Sequence, residues 1–146
     1  MKHSIYFSVK TFIVGMIALT FIQVSATAQR VHFNASAVVP AAQGTVKVRT
    51  DKDKGYNIDI SIFHLAGPQR LQPAAKTYIV WMDTERNGTK NLGEMQSKDK
   101  FLSNTLKADL KITTPFRPTR IFITAEDVAA ISNPAGQQVL TTPTFN

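Results

Sequence analysis

The 146-residue sequence contains no cysteine, which removes disulfide scaffolds, thiolate zinc sites, cysteine nucleophiles and lipid anchoring on a cysteine. Charge is sparse: 18% of residues are charged and 43% hydrophobic, with 7 glycines and 7 prolines. That balance excludes a disordered, collagen-like or low-complexity chain. No apolar stripe of helical period runs for a useful length, and no internal repeat is present. Beyond the N-terminal segment, no stretch is long and apolar enough to span a bilayer as a helix.

Met1 to Ala28 has the three-part form of a secretory leader: Lys2, His3 and Lys10, then an apolar run from Thr11 to Val24, then Ser25-Ala26-Thr27-Ala28 ahead of Gln29. The run Phe12 to Ile22 is shorter than the roughly 20 residues a spanning helix needs. The sequence therefore predicts export with cleavage, and a secreted, periplasmic or cell-surface product without a stable membrane span. Removal of residues 1–28 leaves a single domain of about 118 residues, 29–146. Its basic residues fall from 17 to 15 against 10 acidic ones, a net +5. A domain of this size buries about two-thirds of its unfolded surface, enough for one core held by packing alone.

From Gln29 onward, β-branched or aromatic runs alternate every ten or so residues with clusters of Gly, Pro, Asn or Asp. The predicted strands are Val31 to Val39, Gly44 to Asp51, Tyr56 to Leu65, Thr77 to Asp83, Thr89 to Gln96, Leu102 to Ile112, Thr119 to Glu126 and Gln138 to Thr142. Seven or eight short strands in one small domain point to an all-β fold, an antiparallel immunoglobulin-like β-sandwich.

Two hairpins can be registered. Val46 and Val48 share a face with Ile58, Ile60 and Ile62, so paired residue numbers must sum to an even value. Asp59 then lies across from Arg49 or Lys47, with Lys52 to Gly55 as the turn. The second hairpin turns at Asn87-Gly88, a strong type I′ signal, which pairs Arg86 with Thr89 and Glu85 with Lys90. That register puts Ile79, Trp81 and Leu92 on one face and Tyr78, Val80, Met82 and Met95 on the other. Both faces are apolar, as in a central strand or one covered by a loop; the alternative is an interaction surface around Trp81, Met82 and Met95.

Asp83 to Glu94 places oxygen side chains at loop positions 1, 3, 5, 9 and 12 with glycine at 6, the spacing of an EF-hand calcium loop. The flanks are strand-like, Arg86 and Lys90 put cations beside any ion, and a hairpin explains the same Asn-Gly, so no cofactor or metal is expected. His32 and His64 stand alone. No G-x-S-x-G elbow surrounds Ser36, Ser61, Ser97, Ser103 or Ser132, and Glu126 and Asp127, adjacent in a strand, point to opposite faces. The cations are spread from Lys47 to Arg120, and export argues against nucleic acid as a partner. Asn34 and Asn87 fit glycosylation sequons, which matter only in a eukaryotic secretory pathway.

Tyr78-Ile79-Val80-Trp81, Asn91-Leu92-Gly93, Ile121-Phe122-Ile123-Thr124-Ala125-Glu126 and Pro134-Ala135-Gly136-Gln137-Gln138-Val139-Leu140 follow one another in the second half of the chain. This order resembles the extracytoplasmic C-terminal domain of bacterial anti-sigma-K factors, with its Y-x-x-W, s-L-G, V-T-x-E and P-x-G-x-V-L segments. The resemblance implies a β-sandwich outside the membrane. The sigma-binding part has no counterpart here, so sigma sequestration does not carry over, and the matched residues read as fold determinants. The expectation is a non-enzymatic exported module that binds a protein, glycan or other component of the cell envelope; the alternative is a small-ligand or calcium-responsive sensor.

Overall fold

A computed structural model describes residues 28–95, 97–98 and 107–145. Nine strands form two antiparallel sheets, and no α-helix occurs among the described residues. The strands are β1 (Ala28–His32), β2 (Gln43–Thr50), β3 (Tyr56–Phe63), β4 (Thr77–Thr84), β5 (Thr89–Met95), β6 (Ser97–Lys98), β7 (Lys107–Thr114), β8 (Pro118–Glu126) and β9 (Gln137–Thr141). One sheet runs β1-β2-β3-β7-β6 and the other β5-β4-β8-β9. The segment β2-β3-β7-β6 has the A-B-E-D order of an immunoglobulin-like sandwich, and β5-β4-β8-β9 has the complementary C′-C-F-G order. β1 adds an outer strand. The leader lies outside the described residues apart from Ala28, which pairs with Arg49; so does the Leu102 to Leu106 part of a predicted strand.

Alternation sets the inner layer. Val46 and Val48 pair with Ile60 and Ile58, and these join Ile62, Tyr78, Val80, Met82, Ile121, Ile123 and Leu140 in one buried cluster. The even-sum register of the first hairpin holds: Lys47 lies opposite Asp59, and Arg49 reaches diagonally to pair with the Asp59 carboxylate. This exposed ion pair is worth about 0 to 1 kcal/mol. Asp51 and Gly55 close the predicted turn through the Asp51 N–H, which donates to the Gly55 carbonyl at 2.8 Å.

Two expectations fail for local reasons. The strand predicted over Val31 to Val39 ends at His32, because the Ser36 hydroxyl accepts the N–H groups of Val38 and Val39 and donates to the Val139 carbonyl at 2.5 Å. A serine offering its hydroxyl to nearby backbone competes with the ladder. At the second hairpin, Asp83 pairs with Thr89, leaving Thr84 to Gly88 as a five-residue loop. There the Thr84 Oγ1 accepts the Asn87 N–H at 2.8 Å and donates to the Gly88 carbonyl at 2.8 Å. Gly88 alone takes the positive φ, 67°, whereas a type I′ turn needs two. Leu92 and Gly93 then bulge opposite Val80, which turns Leu92 into the inner cluster and away from Trp81.

Tyr78 spans from the inner layer to the β3–β4 connection, its hydroxyl donating to the Ala66 carbonyl at 2.7 Å. Burial pushes this phenol up from 10.0 to about 12. The unfolded chain thus ionises first, so stability intact below pH 10 should decline as the pH rises from 10 towards 12. A tyrosine ultraviolet titration should show one late step, absent in Tyr78→Phe. In the same core, Ile60→Ala should cost about 2 to 5 kcal/mol in denaturant unfolding.

Candidate functional site

The two central strands of the four-stranded sheet, β4 and β8, are buried on both sides. On its outer face, Ile79, Trp81 and Phe122 form a second apolar cluster, with Ile131 of the 127–136 loop packed on it. The rings of Trp81 and Phe122 stack with centroids 6.4 Å apart. An indole buried in this way needs an acceptor for its N–H, and Trp81 Nε1 donates to Thr124 Oγ1 at 2.7 Å. The Thr124 hydroxyl passes its own proton on to Glu126 Oε1 at 2.6 Å, and the same oxygen accepts the Ala135 N–H at 3.1 Å. Glu126, only 5% exposed, thereby ties the far end of the loop to the strand that starts it.

Two further contacts hold this strap down. Asn91 Nδ2 donates to the carbonyl of Ile131 at 2.8 Å and to that of Ala129 at 3.3 Å, while its Oδ1 takes the Gly93 N–H at the bulge. Gly136 lies so close to β8 that a Cβ there would come within 1.8 Å of the Ala125 carbonyl oxygen. Trp81, Asn91, Thr124, Glu126 and Gly136, spread over three strands and the strap in the sequence, meet in this one place, whereas Tyr78, Leu92, Val139 and Leu140 belong to the inner core.

Trp81, Met82 and Met95 do not make a surface. They are 0%, 0% and 3% exposed, and Trp81 faces the strap while Met82 and Met95 face the inner core. The apolar excess of this hairpin is taken up by a covering loop.

The EF-hand-like segment is built as a hairpin with its carboxylates engaged. Asp83 Oδ1 accepts from the Thr89 hydroxyl at 2.7 Å, and Oδ2 meets Arg120 Nε and Nη2, each at 2.7 Å. Glu94 accepts from the Thr77 hydroxyl at the other end of the strand, and Glu85 faces Arg117 at 3.8 Å. Among the described residues, no three His, Asp or Glu side chains gather as a metal site. His32 and His64 are exposed on different segments. Ser61 donates to Asp109 at 2.7 Å, and Ser36 is engaged in its turn.

The outer face of the five-stranded sheet differs. Registration lines up Arg30, Lys47, Asp59 and Lys111 across β1, β2, β3 and β7. The next row holds His32, Thr45, Ser61 and Asp109, and the row beyond it Gln43, Phe63 and Lys107. With Arg49, five cations share this face with two carboxylates. Arg49 claims Asp59 and Lys107 claims Asp109, so Arg30, Lys47 and Lys111 have no ion-pair partner among the described residues. Lys47 and Lys111 looked scattered in the sequence, and neither Arg30 nor Phe63 gave a signal there; only the cross-strand register collects them. Phe63 is 42% exposed, with Lys107 Nζ 5.5 Å from its ring centre.

Compared with family models, curated proteins and solved structures, the chain matches none.

Since the strap covers the single tryptophan, its loss should be visible in fluorescence. Gly136→Ala should force the loop off β8, move emission to the red and cost about 2 to 4 kcal/mol in thermal unfolding. Thr124→Val, which leaves the indole N–H and Glu126 short of one partner each, should cost about 1 to 3 kcal/mol.

Proposed function

We propose that the chain is an exported, non-enzymatic β-sandwich module that binds an anionic glycan of the cell envelope through the outer face of its five-stranded sheet. One observation carries this reading: Arg30 and Lys47 are set directly opposite one another. Like charges in that position destabilise a sheet, so the fold itself gains nothing from the pair, whereas an anionic partner would benefit from both. The row from Arg30 to Lys111 crosses four strands, about 14 Å at the usual strand spacing of ~4.8 Å, room for an extended chain rather than a single small anion.

A glycan is favoured over a lipid surface by what surrounds the cations. Asn57, Thr45, Ser61 and Thr113 offer groups that hydrogen-bond to hydroxyls, and among the described residues Phe63 is the one exposed large apolar side chain on the face. Membrane docking would call for more apolar area than that. The leader pattern at Met1 to Ala28 supports export, and the engagement of Ser36 and Ser61 in structural hydrogen bonds, with His32 and His64 on different segments, supports a role without catalysis. We read the likeness to anti-sigma-K outer domains as one of fold: its quoted residues divide between the inner core (Tyr78, Leu92, Leu140) and the strap (Trp81, Thr124, Glu126), away from the proposed binding face.

Affinity electrophoresis in gels containing an acidic polysaccharide, with a neutral polysaccharide as control, tests the reading. Retardation should appear only in the acidic gel, fall as salt rises and drop at least tenfold in Lys47→Glu/Lys111→Glu, which should stay folded but lose about 0.5 to 2 kcal/mol because both changes set a carboxylate opposite Asp59. Equal retardation in both gels would overturn it. Mass spectrometry of the exported product should find Gln29 at its N-terminus.

A further inference from the structure

A cleft of about 350 Å³ opens between residues 73–75, ahead of β4, and the two ends of the strap. It lies at the low end of the volumes that small-molecule sites occupy. Its walls are mostly apolar, including Ala74, Val128 and Ile131, and Val128 is 57% exposed at the rim. Glu126 and Asp127 line it, and no lysine, arginine or histidine does.

Glu126 spends one oxygen on the strap and leaves the other over. Oε1 takes both the Thr124 hydroxyl and the Ala135 N–H, and Oε2 has no donor among the described residues. No fully enclosed side-chain oxygen or nitrogen lacks a hydrogen bond there, so Oε2 is open to the cleft it lines. Gly136 keeps the approach clear, since a Cβ at that position would stand 2.8 Å from Oε2. A carboxylate on a residue 5% exposed, with an oxygen to spare and no cationic side chain lining the cleft, favours a cationic donor. Glu126 and Asp127 are the metal-ligating side chains of the lining, fewer than the three or more that protein metal sites gather.

We propose that this cleft binds a small primary amine, with the ammonium on Glu126 Oε2 and a compact apolar body against Val128 and Ile131. The site is on the opposite sheet from the glycan face and independent of it.

The test uses the mature protein with benzylamine as probe and benzyl alcohol as its uncharged counterpart. Benzylamine should give saturable shifts of the Ala135 amide resonance and a rise in melting temperature, and benzyl alcohol neither. Glu126→Gln should weaken binding at least tenfold while keeping an acceptor for Ala135. Val128→Arg, at an exposed rim position, should abolish binding by placing a competing guanidinium there without touching the strap anchor. Lys47→Glu/Lys111→Glu should bind benzylamine as the parent does, which separates this site from the glycan face. Equal response to benzyl alcohol, unchanged benzylamine binding in folded Val128→Arg, or a Glu126-dependent response to calcium chloride in place of the amine would each overturn the proposal.

Discussion

A β-sheet that is apolar on both sides must be covered twice, and the arrangement of this molecule turns on that requirement. In β4 and β8 every residue from Thr77 to Met82 and from Ile121 to Glu126 is buried. The facing sheet covers one side, and the loop between β8 and β9 covers the other. A loop has few apolar groups to offer, so it is held mainly by polar contacts and backbone fit: Glu126, Asn91 and the bare backbone of Gly136. A hydrogen-bonded carboxylate is a demanding fastener under an apolar cover, because each buried polar atom left without a partner costs about as much as the contact it replaces.

The two sheets consequently present unlike surfaces. One outer face is closed by its own chain and carries a cleft at the margin of the closure. The other is a polar ladder interrupted by Phe63, in which cations outnumber carboxylates among the described residues; Arg49 and Asp59 pair across two strands, and Lys107 and Asp109 along β7. In immunoglobulin-like sandwiches the tryptophan of the C strand usually lies between the sheets. Here it is turned outward, which leaves the inner layer to aliphatic side chains, two methionines, Tyr78 and Phe145, and makes the strap necessary.

Much of the fold was legible because alternation and turn residues are local signals. The strand limits at Gly44, Tyr56, Thr77, Thr119 and Gln138 fall within a residue of those observed, and the first hairpin register follows from which face of Val46 and Ile60 must be inward. The second hairpin misled because Thr84 closes a wider loop with its side chain and Leu92 sits in a bulge, shifts of one to three residues that turn-residue preferences do not reveal. The double-sided apolar pattern of Trp81 and Met82 was visible, but its cover was not, since Ile131 is one branched residue in a run of small and polar ones. The basic row was hidden for a different reason. Arg30 and Lys111 are 81 positions apart in the chain, and only pairing through two intervening strands makes them neighbours.

The Ser36 turn fixes when this domain can close. Its hydroxyl grips the Val139 carbonyl across 103 positions of sequence, and the Asn34 N–H donates to the Thr141 carbonyl at 2.8 Å, so the stretch that follows β1 is bonded to β9. Neither bond can form until β9 has been made. Contacts this distant in sequence are slow to find, so the connection from β1 to β2 latches late, whereas β1 itself needs only the neighbouring β2.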